Sequence, residues 1–220
     1  MISPTLLHAL QDWDQWIRTN PSQPKAYIQR GMTHFKLGQI AESIQDFDQA
    51  ERLDPRLTPY LWQRGLSYYY ANCFAEGAKQ FEIDLTVNAQ DVEETVWRYL
   101  CMAQLEGAEA AKRALLPVRN DPRRIMGLIY ELFAGVVDPD SVLREGTSEG
   151  TSEETSEGTT EAPSKFYSQL YVGLYYEAVG AVELAKTYIG EAVHTFETQY
   201  QSDDYMGYLA IVHQTQRGWG

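Results

Sequence analysis

The tripeptide Gln29-Arg30-Gly31 returns as Gln63-Arg64-Gly65, 34 positions later. At the same offset Ala41 matches Ala75, Glu42 matches Glu76 and Phe47 matches Phe81, while Phe35 answers Tyr69 and Ile28 answers Trp62. A period near 34 marks a helix–turn–helix unit that cannot bury its apolar face alone and stacks on copies of itself. The chain is therefore expected to be all-α, a pile of antiparallel helix pairs.

The rest of the chain reads as additions to that pile. Residues 1–22 form an amphipathic N-terminal helix: Ser3 caps it, Pro4 takes its first position, and Leu6, Leu7, Leu10, Trp13, Trp16 and Ile17 share one stripe. The repeat region spans 23–145. Its first unit, 24–55, has helices over 24–37 and 40–53 about a turn at Gly38. The second, 58–89, turns near Asn72-Cys73 and departs from the pattern at Asp84, where the first has Ala50. A worn third unit covers 91–117: Asp91 is its N-cap and Arg98 keeps the register, but Tyr99 replaces the glycine. A helical connector, 121–145, carries Ile125, Met126, Ile129, Tyr130 and Phe133, then a brief helix from Asp138-Pro139 to about Arg144. Residues 146–163 hold Gly, Ser, Thr and Glu, with no apolar side chain before Ala162-Pro163. Nothing there offsets ordering entropy, so a disordered acidic insert is expected. A last pair and a C-terminal capping helix occupy 164–220; the cap, near 203–214, offers Tyr205, Tyr208 and Ile211 to the stack.

The formal charge of −13 repels phosphate backbones and anionic bilayers, which argues against nucleic acid and membrane insertion. No basic leader and no run of 18 apolar residues is visible, so a cytoplasmic location is expected. Cys73 and Cys101 belong to no CxxC pair and read as reduced thiols.

The run Tyr27, Gly31, Phe35, Gly38, Ala41, Phe47, Ala50, Pro55 resembles the tetratricopeptide repeat. The resemblance implies a right-handed superhelix. The segments Gln63-Arg64-Gly65-Leu66-Ser67-Tyr68-Tyr69-Tyr70, Trp97-Arg98-Tyr99-Leu100 and Phe166-Tyr167 through Gly173-Leu174-Tyr175-Tyr176 are similar to the bacterial NlpI-type tetratricopeptide adaptor lipoproteins, without their N-terminal anchor cysteine. That likeness implies a non-enzymatic adaptor that dimerises and presents protein clients.

In such a stack the first helix of each pair lines the concave side. Helical spacing places Ile28, Met32 and Phe35 there, then Trp62, Leu66, Tyr69 and Tyr70, then Val96 and Leu100. Burial of one such side chain is worth about 1.5–3 kcal/mol, so a wall of this size should not stay wet. Three occupants are open: the N-terminal helix, a second subunit in a homodimer, or a protein or peptide client. Arg30, Arg64 and Arg98 have nearby carboxylates to pair with, such as Asp46, Asp48 and Glu82; the alternative is a ladder gripping an acidic partner. The enzyme alternative rests on Glu191-Ala192-Val193-His194, whose Glu-x-x-His spacing suits a di-iron bundle, but no second copy exists. No phosphate loop, GxSxG elbow or HExxH is present, so neither a catalytic residue, a metal nor a cofactor is expected.

Overall fold

Gly38 has a backbone φ of 73°, and Asn72, at the matching register position, has 58°. Both angles lie in the left-handed region that glycine enters freely and asparagine tolerates. At each site the chain leaves a helix by the same hydrogen-bond pattern. The Gln39 amide donates to the His34 carbonyl at 2.9 Å, and the Cys73 amide to the Tyr68 carbonyl at 2.9 Å. Gly180 repeats the device, with a φ of 80° and the Ala181 amide 2.8 Å from the Tyr176 carbonyl. The helix pairs are thus set by one local motif reused.

The computed structural model describes residues 4–119, 121–147, 164–200 and 203–220, and no strand occurs among them. The order is α1 (Pro4–Thr19), α2 (Pro24–Lys36), α3 (Ile40–Leu53), a 3-10 turn (Pro55–Tyr60), α4 (Trp62–Tyr70), α5 (Phe74–Asp84), α6 (Val92–Glu106) and α7 (Ala108–Arg113). Then come α8 (Arg124–Ala134), α9 (Pro139–Thr147), α10 (Ser164–Ala178), α11 (Val182–Thr195), a π turn (Phe196–Tyr200) and α12 (Tyr205–Gln216). The pairs α2/α3, α4/α5, α6/α7 and α10/α11 stack, with α8 and α9 packed against α10. Gly65 permits the close approach of α4 and α5: a Cβ there would lie 2.7 Å from the Phe81 ring.

One core runs from Phe35 through Trp97 and Leu170 to Leu209. A second, small cluster of Ile17, Ala26, Tyr27 and Ala50 joins α1 to the first pair. Since α1 packs chiefly on α2, it buries a narrower stripe than expected: Leu6 and Ile17 are covered, whereas Leu7 and Trp16 face solvent. The helix begun at Pro139 runs on to Thr147, so residues 146–147 are helical rather than part of an insert, and Gly146 is buried against Ser168. The remainder of that insert, 148–163, lies outside the described residues. No helix among the described residues is long and apolar enough to cross a membrane.

Candidate functional site

Most of the residues expected to line the concave side are sealed within the chain. Their cover is α12, which packs against α11 and reaches back to α2. Phe35 is fully buried, its ring stacked on Tyr205 at 5.0 Å, and Trp62 meets the same tyrosine edge-on at 5.5 Å. The Tyr70 hydroxyl lies 3.0 Å from His213 Nδ1. Arg217 lies over the Tyr69 ring and donates to Glu177, whose carboxylate also lies 3.2 Å from His213 Nε2 in a poorly aligned contact. Burial opposes ionisation of Glu177, yet His213 and Arg217 hold its carboxyl below the ordinary range. Lys36 anchors the start of α12 through Asp203 at 2.7 Å.

The nine expected wall residues therefore separate. Phe35, Leu66, Tyr69, Tyr70, Val96 and Leu100 are core. Met32 packs half-buried on that core, while Ile28 belongs instead to the small α1 cluster. Trp62 alone of the nine lines an open cleft. Of these nine residues the N-terminal helix shares a cluster with Ile28. The sequence signal for α12 was its lack of a polar face: Tyr205, Met206, Leu209, Ala210, Val212 and His213 are all buried, the mark of a central helix rather than an end cap.

The arginines serve the stack. Arg30 holds Asp46 through two donors at 2.8 and 2.6 Å and also Asp14 of α1 at 2.8 Å. Arg64 binds Glu51 at 2.7 Å, Asp48 at 3.0 Å and the Gln80 side chain at 2.7 Å. Arg98 takes Glu82 at 3.0 Å and the Ala114 carbonyl at 2.9 Å. Each reaches a group 16 positions onward, Asp46, Gln80 or Ala114, so these contacts follow the repeat register. Their guanidinium forks are committed within the chain, which leaves no ladder for an acidic partner.

Where α12 begins, the wall opens into a cavity of about 570 Å³, within the usual range for a ligand site. Pro59 and Tyr60 of the 3-10 turn form one lip and Val87 another. Tyr60 is 61% exposed and Val87 49%. Trp62, Phe81 and Trp97 supply apolar walls, and Met206 of α12 closes one side. The remaining wall is the start of α6, with Asp91, Glu93 and Glu94. Asp91 is spent on capping: its Oδ1 accepts from the Glu94 amide at 3.0 Å and its Oδ2 from Asn88 at 3.0 Å. Glu93 accepts from Arg123 at 2.6 Å and from the Tyr171 hydroxyl at 3.0 Å, though burial still holds it above the usual carboxyl range. Glu94 is different. It is 8% exposed, and its Oε2 has no hydrogen-bond partner among the described residues. Burial, then Asp91 and Asp84, push its carboxyl up to about 8. Asp84 behind it is pushed by burial to about 7, despite a 2.7 Å hydrogen bond from Gln80. This acidic group was not foreseen. Its one sequence signal was the Asp84-for-Ala50 departure from the repeat.

The family model of the tetratricopeptide repeat matches residues 24–57. That stretch, α2, α3 and the start of the 3-10 turn, is a tetratricopeptide repeat. No curated protein matches the chain, and the narrower likeness to NlpI-type proteins is left without support from a relative. The α4/α5 pair, beside the cleft, shares that repeat's turn geometry and arginine pairing.

The remaining sequence candidates sit apart from the cleft. Glu191 accepts a hydrogen bond from Gln169 at 3.2 Å, and His194 is exposed beside it in an open depression that Lys165 also lines. Cys101 is buried and its thiol pushed up to about 12, so it stays protonated; Cys73 is half-buried at the turn, and both are free.

Proposed function

We propose that this chain is a non-enzymatic protein-interaction module, an adaptor that holds a segment of a partner protein in the cleft at the starts of α4 and α6. Tetratricopeptide repeats generally mediate contacts between proteins, and residues 24–57 are such a repeat. The observation that carries the reading further is the contrast along the wall. Under α12 the aromatic side chains are covered, while around the cleft Tyr60 and Val87 stand exposed over a cavity of about 570 Å³. Exposed aromatics over an apolar cavity are the usual ingredients of a peptide anchor site.

The test is affinity capture from a native extract with the intact chain and with a Tyr60→Ala/Val87→Asp variant. Partners retained by the parent should be lost from the variant, while circular dichroism and melting stay unchanged. An identical partner set on both would remove the cleft from the function.

A further inference from the structure

We infer that the cleft takes a basic side chain, an arginine or lysine carried on a peptide segment of the protein partner, with Glu94 as its counter-charge. The inference rests on the interaction reading above and names the chemistry of its occupant. Three observations carry it.

The first is a buried carboxyl with no cation beside it to favour its ionised form. Asp91 and Glu93 each have partners that account for their ionised forms, namely the α6 amide and Asn88 for one, Arg123 and Tyr171 for the other. Glu94, nine-tenths buried, lines the same cavity; Asn88 acts on its carboxyl, but Oε2, sunk behind the wall, has no hydrogen-bond partner among the described residues. A buried carboxyl atom without a partner is costly, and a cationic donor arriving from outside removes that cost. Capping of α6 does not explain this residue, because Asp91 already performs it.

The second is the company of the carboxyl. Tyr60 and Trp62 present ring surface to the same cavity, with Trp97 buried behind them. A guanidinium or ammonium group over such faces gains an electrostatic attraction, strongest for tryptophan and strongest when water is excluded. The methylene stem of the same side chain finds Val87.

The third is supply. Arg123, the cation that reaches the cleft wall, is already held by Asp121 at 2.8 Å and Glu93 at 2.6 Å. The chain carries 31 acidic against 18 basic residues, so its field draws basic segments toward this opening.

The probe is a capped Leu-Arg-Leu tripeptide, with its citrulline twin as a neutral isostere. The full chain, labelled with nitrogen-15, is titrated at about 0.15 M salt, where diffuse charge effects are screened beyond roughly 8 Å. The indole N–H resonances of Trp62 and Trp97 report binding. The arginine peptide should shift both, and the citrulline peptide should bind at least about tenfold more weakly, as loss of a charge-assisted hydrogen bond predicts. Glu94→Gln should lose the same factor, whereas Glu76→Gln, which removes one exposed charge from α5, should lose nothing. Tyr60→Ala should weaken binding through the lost ring without touching the core. Equal binding of both peptides, or full binding by Glu94→Gln, overturns the assignment. If the arginine peptide is ignored while captured partners still depend on Tyr60, the interaction reading stands and the basic side chain falls.

Discussion

Beneath α12 the expected wall is covered: Phe35 lies on Tyr205, Tyr70 meets His213, and Arg217 closes over Tyr69 onto Glu177. A few residues away the same wall, built by the same helices, carries the exposed Tyr60, the half-buried Trp62 and a carboxyl atom on Glu94 with no partner among the described residues. The two stretches differ in whether the chain itself supplies the cover. Where it does, large rings interlock, although Glu177 Oε2, His213 Nε2 and the Tyr205 hydroxyl are buried without a well-formed hydrogen bond among the described residues. Where α12 starts, Met206 borders the cleft, and the Glu94 carboxyl on its wall keeps one oxygen with no partner among the described residues. Stability belongs to the sealed stretch, and the proposed recognition to the open one.

The contrast is broken or sharpened first by truncating one ring in each half. Phe35→Ala should cost about 3–5 kcal/mol in urea unfolding, as a fully buried ring does, while Tyr60→Ala should stay within about 0.5 kcal/mol. A comparable loss at Tyr60 would make the cleft core and end the distinction. Next is the glycine behind the cleft. Gly65→Ala drives a methyl into the Phe81 ring and should cost about 1–3 kcal/mol. Gly31→Ala, whose nearest neighbours would stand at 3.2 Å, should cost less by the same assay.

The two halves should also answer pH in opposite directions. Glu94 and Asp84 have folded-state pKa values raised above those of the unfolded chain, to about 8 and about 7. The folded protein then holds more protons than the unfolded one, so stability falls as pH rises from the ordinary carboxyl range through those values. Glu94→Gln should accordingly be more stable than the parent at pH 8, by on the order of 1–2 kcal/mol, and close to it at pH 4, read from urea midpoints. Glu177 in the sealed half is shifted down, so its contribution is present above the ordinary carboxyl range and lost as pH falls through its depressed value. Its loss is the smallest of these effects, about 1 kcal/mol, and should appear as loosening of α12 in acid, read by hydrogen exchange at Tyr205–Gln216.

Much of the fold was legible because it is local. The turns at Gly38 and Asn72, and the arginine partners 16 positions onward, depend on neighbours within one repeat, and the period exposes them. The site was legible only in fragments. Trp62 was among the expected binding residues, yet Phe35, Tyr69 and Leu100 shared its periodicity and proved to be core. Spacing reports which face a residue takes, and it is silent on what comes to rest against that face. Asp84 stood out as a break in the pattern, but its meaning depended on Glu94 and Asp91, which gather near it only in three dimensions.

The amino-acid order on its own determined helix pairs, their register, their turns and their internal ion pairs, because each is a contact across at most one repeat. Only the tertiary structure decided that α12 lies on the wall and stops at the cleft. Tyr205 meets Phe35 across 170 positions, a contact no periodicity encodes. The proton affinities of Asp84 and Glu94 were decided there too, since burial and converging carboxylates raise a pKa only once the chain has brought them together.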